Sequence, residues 1–514
     1  IDILSQVAQV DQRPGLSPEE LVQVIGDYDG LMIRSGTQVT AEVIAAASRL
    51  KIIGRAGVGV DNVDVPAATQ RGVLVVNSPE GNTIAAAEHA LAMMLSISRH
   101  VPQAHAGMRV GKWDRKKYVG NELYKKTLGV VGLGKIGSHV AKVARAMGME
   151  VIAYDPFVAA DRAQQMQVRL TELAELFRTA DYVTLHIPRT KDTENLVNAE
   201  LLRTMKPSAR IVNCARGGVV DEAAIAEAID KGVIAGAGLD VFASEPLAED
   251  SPLRAVERGL VLTPHLGAST EEAQENVAID VAEQIRDVLL GLPARSAVNI
   301  PGLSAEIMER LKPHLQLAET VGGLLSQLAG GQVQELELRL QGEFASHPSQ
   351  PLLIASLKGL LGAVLGDSIN FVNASLEAKA RGIRVVEVKD EASRDFTGGS
   401  LQLISRGDQG SRSVTGAVFA DGELRITSID AFPVNVTPSS HMLFTRHRDM
   451  PGIIGKLGSL LGEHNVNIAS MQVGRKIVRG DAVMVLSIDD PVPAALLEAL
   501  TAIDGIQEAH PVTL

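Results

Sequence analysis

The sequence predicts an α/β protein built on two doubly wound parallel sheets, which are followed by an α+β region and a small βαββαβ unit. Three observations support this fold class. Strand-like apolar runs alternate with helical patterns from residue 17 to about residue 290, which is typical of parallel sheets covered by helices. A glycine-rich turn joins a strand to a helix at Gly132–Gly137. Residues 439–514 carry strand and helix patterns in the ferredoxin-like order.

Composition limits the class of protein and its compartment. The chain has 514 residues and a net charge of -12, so it has no general attraction to nucleic acid or anionic lipid, and an anionic ligand must be held by local arginines. The single cysteine, Cys214, excludes an internal disulfide framework and fits a reducing compartment. We therefore expect a cytoplasmic protein, or a stromal one if it comes from a plastid. No segment predicts a membrane span or a signal peptide.

Residues 1–85 together with 275–302 are predicted to form the first doubly wound domain. Ser17 is expected to cap a helix that runs to about Gly26, with Glu20 completing a capping box. Because the first strand of such a domain is normally central and the chain begins without methionine, we expect one more strand upstream. The predicted strands are Val7–Val10, Gly30–Arg34, Lys51–Gly54 and Val73–Asn77, and the predicted helices are Ala41–Leu50, Val65–Arg71 and Ile84–Arg99.

Residues 86–274 are predicted to form a second doubly wound domain inserted in the first. The helix Glu271–Leu290 could cross back to the first domain, which would leave the active cleft between two lobes. The strands of the inserted domain are expected near Gly129, Val151, Tyr182, Ile211, Gly236 and Val261.

The pattern changes at Pro301 and Gly302, which predict a linker. Residues 303–438 combine a long helix pair with strand-like segments such as Val333–Leu340 and Glu423–Ile429, and they contain no evident catalytic constellation. Residues 439–514 are the predicted βαββαβ unit. Its elements are expected at His441–Thr445, Gly452–Glu463, Asn467–Val473, Asp481–Ile488, Pro493–Ala502 and Ile506–Pro511.

Three glycines and an acid predict a dinucleotide site, and they favour NAD over NADP. Gly132 permits a tight turn, Gly134 lets the backbone approach a pyrophosphate at the helix N-terminus, and Gly137 lets the helix pack closely on the strand. Asp155 ends the second strand, where its carboxylate would accept hydrogen bonds from ribose hydroxyls and repel a 2′-phosphate. Such turns also occur where no nucleotide binds, but a strand, a helix and an acid in register indicate a cofactor.

Arg216, Glu245 and His265 each follow a predicted strand, at the edge where open α/β sheets bind ligands. His265 is the candidate acid/base that moves a proton at an alcohol oxygen while a hydride passes to NAD. Glu245 would fix the tautomer of His265 and stabilise its imidazolium form. Arg216 would hold a substrate carboxylate through two parallel hydrogen bonds. Alternatively, His265 could be a packed loop residue, Glu245 could cap a turn, and Arg216 could form a surface ion pair.

Several motifs resemble the signatures of the D-isomer-specific 2-hydroxyacid dehydrogenases. They are the glycine turn, Asn213–Gly218, Gly238–Pro246 and Thr263–Gly267. Within that family, Gly54–Asn62, Asn77–Asn82 and Gly111–Lys117 are similar to segments of the long-form members that act on 3-phospho-D-glycerate. The resemblance covers nearly the whole chain.

This resemblance implies a fold and an activity. The fold has a flavodoxin-like substrate domain, an NAD-binding Rossmann domain, an intervening domain and a C-terminal ACT domain. The activity is the NAD-dependent oxidation of 3-phospho-D-glycerate to 3-phosphooxypyruvate, the first committed step toward L-serine. The family also implies a homo-oligomer, a tetramer.

The resemblance assigns ligand contacts by position. Contacts with the phosphorylated substrate fall on Arg34, Arg55, Asn82 and Arg115, with Arg115 reaching in from a neighbouring subunit. A solvated basic turn is the alternative for Arg115–Lys117. Cofactor contacts fall on Gly132, Gly134, Lys135, Ile136, Gly137, Asp155, Cys214, Ala215, Asp240, Gly267 and Ala268.

In the last region, Arg448–Gly452 and Asn465–Ile468 resemble the effector site of ACT domains. L-serine would offer its ammonium group to Asp449 and its carboxylate to the helix N-terminus at Gly452, with Asn467 bridging. The alternative is a plain dimerisation module.

The sequence is also compatible with two other functions. A dehydrogenase of the same kind could act on another acid, such as glycerate or 2-hydroxyglutarate. A nucleotide-sensing corepressor could share the dehydrogenase core, although the ACT-like tail and the acidic chain argue against it. No metal is expected at the site, and neither nucleic acid nor membrane is an expected partner.

Overall fold

The computed structural model describes residues 1–300, 305–391 and 399–514. These residues form two compact units. The first unit contains residues 1–54, 61–76 and 284–514, and the second contains residues 55–60 and 77–283. The predicted linker at Pro301 and Gly302 lies outside the described residues.

The N-terminal region forms a three-stranded sheet in the order β1-β2-β3. Ser17 caps the first helix as predicted, because its hydroxyl accepts from the Glu20 amide while the Glu20 carboxylate accepts from the Ser17 amide. The strands are β1 (Gly30–Ile33), β2 (Ile52–Arg55) and β3 (Leu74–Asn77), and the helices are α1 (Pro18–Val24), α2 (Ala41–Ala46) and α3 (Val65–Arg71), with short 3-10 helices at Leu4–Gln6 and Ile25–Asp27.

The predicted strand Val7–Val10 is wrong. These four residues are irregular, and β1 is the first strand in the described range 1–300. Val7 and Val10 are only half-buried, the polar residues that follow are exposed, and no strand of the described residues pairs with this segment. A strand needs a partner for its backbone groups, so apolar character alone did not suffice here.

The second unit contains a seven-stranded sheet in the order β10-β9-β8-β7-β4-β5-β6, in which all neighbours are parallel. The chain moves outward from β4 to β6 and then crosses to β7 on the other side of β4. This reversal of strand order is where doubly wound sheets bind ligands, at the carboxyl ends of the strands. The strands are β4 (Thr127–Val131), β5 (Glu150–Tyr154), β6 (Arg169–Leu170), β7 (Tyr182–Leu185), β8 (Arg210–Asn213), β9 (Gly236–Leu239) and β10 (Leu260–Leu262).

Helices cover this sheet, and the predicted parallel α/β architecture is confirmed. The sequence did not predict β6, a two-residue edge strand. The helices are α4 (Thr83–Arg99), α5 (Val101–Arg109), α6 (Lys135–Ala146), α7 (Ala160–Gln165), α8 (Leu173–Thr179), α9 (Ala199–Arg203), α10 (Glu222–Asp230) and α11 (Glu271–Leu289), with 3-10 helices at Arg115–Tyr118 and Pro252–Ala255.

The region after residue 304 is a mixed sheet with a helix pair, as the α+β prediction requires. Its six strands have the order β12-β11-β13-β14-β15-β16. The strands are β11 (Val333–Gln341), β12 (Arg384–Asp390), β13 (Ser400–Gly407), β14 (Gly410–Val418), β15 (Leu424–Ile429) and β16 (Phe432–Val436). The helices are α12 (Ala305–Ala329), α13 (Glu343–Ser346), α14 (Ser349–Leu365) and α15 (Ala374–Ala380), with a 3-10 helix at Gly366–Ser368.

The C-terminal unit is an antiparallel sheet in the order β18-β19-β17-β20 with two helices on one face, so the predicted ferredoxin-like fold is confirmed. Its elements are β17 (His441–Arg448), α16 (Ile453–Glu463), β18 (Ile468–Arg475), β19 (Asp481–Ile488), α17 (Ala494–Thr501) and β20 (Ile506–Thr513). Leu457, Leu486 and Leu496 belong to the core under the helices. On the opposite face, Met442, Phe444 and Val485 join the hydrophobic core of the preceding region. None of the helices in the described residues combines the length and the apolar character that spanning a bilayer requires.

Candidate active site

The glycine turn between β4 and α6 has the geometry that a dinucleotide needs. Gly132 has φ +91°, a conformation that side chains disfavour. A Cβ at Gly137 would lie 2.0 Å from the Gly132 carbonyl oxygen, so only glycine allows this contact. No heavy atom stands within 4 Å of a Cβ built at Gly134, so the N-terminus of α6 opens onto free space. That space and the helix dipole suit a pyrophosphate.

Asp155 holds this turn from the end of β5. One of its carboxylate oxygens accepts from the Leu133 amide at 2.7 Å, and the other accepts from the Phe157 amide at 2.9 Å. Each carboxylate oxygen has a second acceptor position, so hydrogen bonds from ribose hydroxyls fit beside these two. The negative charge here also disfavours a 2′-phosphate. The turn and Asp155 therefore fit NAD.

Glu245 and His265 are in direct contact. The His265 Nδ1 and the Glu245 Oε2 atoms are 2.7 Å apart, and the other carboxylate oxygen of Glu245 accepts from the Phe242 amide at 3.0 Å. The two residues follow β9 and β10, which are neighbours at the edge of the sheet. About half of the His265 side-chain surface is exposed. The imidazole is therefore oriented on one side by a carboxylate and accessible on the other.

Arg216 lies on the loop after β8, and neighbouring backbone holds this loop. The Asn213 side chain donates to the Arg216 carbonyl at 3.0 Å and accepts from the Ala215 amide at 3.1 Å. The Arg216 guanidinium donates to the Ala215 carbonyl at 2.7 Å. The adjacent Gly217 approaches the loop of Glu245 too closely for any side chain. The structure thus brings the loops that carry Arg216 and Glu245 together.

Asp240 is fully buried below the His265 loop. Its carboxylate accepts from the Thr263 hydroxyl at 2.5 Å and from the amides of Leu266 and Gly267 at 2.8 and 2.9 Å. Burial opposes ionisation of Asp240, but the hydrogen bonds to its carboxylate outweigh this and hold its pKa below the ordinary value. The resemblance implies a cofactor contact for this residue, and the structure shows its carboxylate oxygens accepting hydrogen bonds from the His265 loop.

The other predicted cofactor residues lie at the start of α6 and on the loops after β8 and β10. Cys214 is half-buried, and burial together with the charge of Asp240 raises the pKa of its thiol. Lys135 forms an exposed ion pair with Glu80. Ile136 packs against the core between α6 and the sheet. The remaining positions are Ala215 and Ala268, both half-buried, and Gly267, which is buried.

One group of metal-type donors occurs among the described residues. His89, Cys214 and Asp240 bring one donor atom each to within 4.8 Å of one another. The imidazole and the carboxylate of this group are 3.1 Å apart, which is a hydrogen-bond distance. Hydrogen bonding accounts for that contact without an ion.

The four predicted substrate residues are distributed over both units. Arg34 lies in the first unit after β1, and the others lie in the second unit. The Arg55 guanidinium crosses Gly57, where a Cβ would stand 1.4 Å from its Nη1 atom, so only glycine permits this arrangement. The Asn82 side-chain oxygen is buried without a hydrogen-bond partner, which suits a group that receives a ligand. Arg115 is exposed in its 3-10 helix, as the solvated-turn alternative also predicts.

Comparison with known proteins identifies the family. Residues 91–267 match the NAD binding domain of D-isomer specific 2-hydroxyacid dehydrogenases, residues 310–430 match the D-3-phosphoglycerate dehydrogenase intervening domain, and residues 441–505 match the ACT domain. A Synechocystis sp. protein named D-3-phosphoglycerate dehydrogenase is 62% identical over 100% of this chain and 92% of its own length. This chain belongs to the D-3-phosphoglycerate dehydrogenase family.

Other relatives agree with this assignment. A D-3-phosphoglycerate dehydrogenase from Methanocaldococcus jannaschii is 44% identical over 100% of this chain and 97% of its own length. The solved structure of the TT0316 protein from Thermus thermophilus is 35% identical with a TM-score of 0.53, over 58% of this chain and 96% of that protein.

In the ACT domain, the structure does not bring the two predicted effector residues together within one chain. Asp449 follows β17 at the end where Arg448 pairs with Asp481, whereas Asn467 precedes β18 at the end where Ile468 pairs with Ile488. Strands of this length separate the two ends by roughly 20 Å. Asn467 instead donates to Asp489 at 2.7 Å. A single effector that touches both positions would need Asn467 from a second copy of the chain.

His89 is a residue of the site that the sequence analysis missed. It lies on α4, within 3.1 Å of the Asp240 carboxylate and 3.2 Å of the Thr263 hydroxyl. One feature of the sequence could have indicated a role for His89. It is a polar pair, Glu88 and His89, in an alanine-rich helix whose other face is buried. Position along the chain did not suggest the contact, because α4 and β9 are far apart in sequence.

Proposed function

We propose that this protein oxidises 3-phospho-D-glycerate to 3-phosphooxypyruvate with NAD, the first step of L-serine synthesis. The contact that carries the proposal is the 2.7 Å pair between His265 Nδ1 and Glu245 Oε2, in loops that follow strands of the same parallel sheet as the NAD-binding turn. The names of the relatives support the choice of substrate. The four-domain division, with boundaries after residues 85, 274, 302 and 438, is part of this proposal.

The chemistry follows from the residues. When bound, NAD would supply the acceptor for the hydride that leaves the carbon carrying the substrate hydroxyl. His265 takes the hydroxyl proton on Nε2, the ring nitrogen away from Glu245, and the carboxylate of Glu245 stabilises the resulting imidazolium. Arg216 binds the substrate carboxylate through its guanidinium. Gly132, Gly134, Gly137 and Asp155 hold the cofactor.

The decisive experiment is NADH formation by the purified protein when 3-phosphoglycerate is added at alkaline pH. Oxidation releases a proton, so high pH favours it. The wild type should turn over, and His265→Ala should lose nearly all turnover while the exposed-histidine variant His464→Ala keeps it. A wild-type protein that binds NAD without turnover would favour the nucleotide-sensing alternative.

Arg55 separates phosphoglycerate from other acids. We propose that Arg55 binds the substrate phosphate, together with Arg34, Asn82 and Arg115. Arg55→Met should then raise the KM for 3-phosphoglycerate far more than the KM for glycerate or 2-hydroxyglutarate. Equal losses for phosphorylated and unphosphorylated acids would contradict the phosphate role.

We also propose that the protein is a homo-oligomer, a tetramer as in the family. Exposed apolar side chains cluster along α5 and the segment that follows it, with Val110 68%, Trp113 74% and Val119 75% exposed. Such a surface is costly in water and suits a second copy of the chain. Because Arg115 lies in this segment, the same contact could carry it to a neighbouring site. Trp113→Asp should lower the mass measured by light scattering and raise the KM for 3-phosphoglycerate.

L-serine is the proposed effector, at the turn before α16. A cavity of about 330 Å³ there is lined by residues that include Asp449, Gly452, Arg475 and Arg479. The Arg475 guanidinium, 3.0 Å from Asp449, holds the pKa of that carboxyl below its usual value. The adjacent opposite charges suit an amino acid zwitterion. Calorimetry that detects no serine binding, together with full activity in excess serine, would contradict the proposal.

A reducing compartment, cytoplasm or plastid stroma, is proposed from the single cysteine.

A further inference from the structure

His89 makes a second imidazole–carboxylate contact beneath the proposed catalytic pair. Its Nε2 atom is 3.1 Å from Asp240 Oδ1 and 3.2 Å from Thr263 Oγ1, and 18% of its side chain is exposed. The Thr263 hydroxyl donates to Asp240 at 2.5 Å, so its oxygen is available to accept. An ionised carboxylate cannot donate. His89 Nε2 must therefore carry the proton and donate to both groups.

Asp240 connects His89 to the backbone of His265 and of the two residues that follow it. The amide of His265 donates to the Asp240 carbonyl at 2.8 Å, and the next two amides donate to the Asp240 carboxylate at 2.8 and 2.9 Å. Asp240 thus accepts hydrogen bonds from three consecutive backbone amides of the loop. The position of His265 depends on this residue.

His265 itself has a strained backbone. Its φ is +55°, in the left-handed region, which is unfavourable for a non-glycine residue. Such a conformation persists only where neighbouring contacts determine it. The three amides bound by Asp240 are those contacts, so the hydrogen bonds that keep Asp240 ionised and in place also keep His265 in its strained position.

We propose that His89 is a positioning residue for the dehydrogenase reaction, because its hydrogen bonds to Asp240 and Thr263 hold the loop that orients His265. Without the Nε2 donor, a fully buried carboxylate loses a partner, and the Thr263 side chain loses one as well. The loop then relaxes, and His265 leaves the position set by Glu245. A displacement of about 1 Å at a reacting group can lower turnover about 100-fold.

The inference rests on the proposed function, and the test separates the two. His89→Leu removes the donor with similar bulk, His89→Gln keeps a side-chain N–H that can reach Asp240, and His464→Leu is the control at an exposed histidine that follows α16. NADH formation by the wild type tests the proposed function. The ratio of each variant to the wild type tests the role of His89. Melting temperatures and NAD binding of all proteins are measured in parallel.

We expect His89→Leu to lower kcat about 10- to 100-fold while the KM for 3-phosphoglycerate changes less than about threefold, and His89→Gln to recover most of kcat. Asp240 and Cys214 are titratable groups within 4.8 Å of His89. The hydrogen bond from His89 favours the ionised form of Asp240, so its loss should raise the pKa of Asp240. The acidic limb of the kcat/KM profile should therefore move to higher pH in His89→Leu.

Coupling to Asp240 gives the second readout. If His89 acts through Asp240, the double variant His89→Leu, Asp240→Asn should be no slower than Asp240→Asn alone. Wild-type kcat with an unchanged pH profile in His89→Leu would overturn the proposal. So would losses that simply multiply in the double variant, or a His89→Gln variant as slow as His89→Leu.

Discussion

A methyl group on Gly217 would stand 1.7 Å from the carbonyl oxygen of Phe242. This contact joins the loop of Arg216 to the loop of Glu245. Gly217→Ala should force the two loops apart and lower kcat/KM for 3-phosphoglycerate about 100-fold, with a lower melting temperature. The matched control is Gly458→Ala on α16, where a Cβ meets no atom within 4 Å. In that helix alanine should be neutral or stabilise by about 0.5–1 kcal/mol. Wild-type kcat/KM in Gly217→Ala would contradict the prediction.

Glu245→Gln tests the charge of the carboxylate with little change in shape. Glutamine cannot stabilise an imidazolium as a carboxylate does, so kcat should fall about 10²- to 10⁴-fold. The KM for 3-phosphoglycerate should change little, because the Glu245 carboxylate contacts His265 and the Phe242 amide and acts through the histidine. Initial rates of NADH formation measure both constants, and the exposed Glu249→Gln is the control. A kcat within twofold of the wild type would exclude this role for Glu245.

Asp155→Ser tests cofactor choice. Removal of the carboxylate removes the repulsion of a 2′-phosphate and the acceptors for the ribose hydroxyls. The ratio of kcat/KM for NAD to that for NADP should fall at least about 100-fold, mostly through poorer use of NAD. Asp161→Ser, at an exposed position of α7, should leave the ratio unchanged. An unchanged ratio in Asp155→Ser would place cofactor choice elsewhere.

Arg412→Met should make stability depend less on pH. Arg412 contacts Glu508 and is 2.7 Å from Asp430. Burial opposes ionisation of Glu508, but the contact with Arg412 outweighs this and lowers the pKa of Glu508. The pair therefore stabilises the fold above the ordinary glutamate pKa of about 4.3, and the effect is lost as pH falls through the lower folded-state pKa.

We expect Arg412→Met to reduce the unfolding free energy by about 1–3 kcal/mol near neutral pH, because the carboxylates of Glu508 and Asp430 each lose one close partner. The unfolding free energies of the two proteins, measured by denaturant titration, should converge as the pH is lowered below about 4. Arg381→Met, which breaks an exposed pair with Glu377, should cost only about 0.3–0.5 kcal/mol. A difference between wild type and Arg412→Met that grows toward acid pH would contradict the assignment.

Local features of the sequence predicted local structure well. The Ser17 capping box, the glycine turn and the strand–helix order depend on residues a few positions apart, and all are present. The Val7–Val10 strand failed because a strand needs a neighbour that its own residues do not specify. The Asp240 network was missed for a related reason, since His89 and Asp240 meet only when α4 packs on the sheet. Asp449 and Asn467 show the same limit, because a motif does not specify the end of the sheet at which each residue lies.

The shared hydrophobic core of the last two regions bears on how this chain could have arisen. Sequence families divide the chain between residues 430 and 441, but Met442, Phe444 and Val485 of the later region complete the core of the earlier one. A gene that lost only the last segment would encode a protein with an open apolar sheet face. Exchange of the two regions together keeps this shared core intact. The two regions are therefore exchanged most easily together in evolution. A gene fusion that changes regulation would involve both regions.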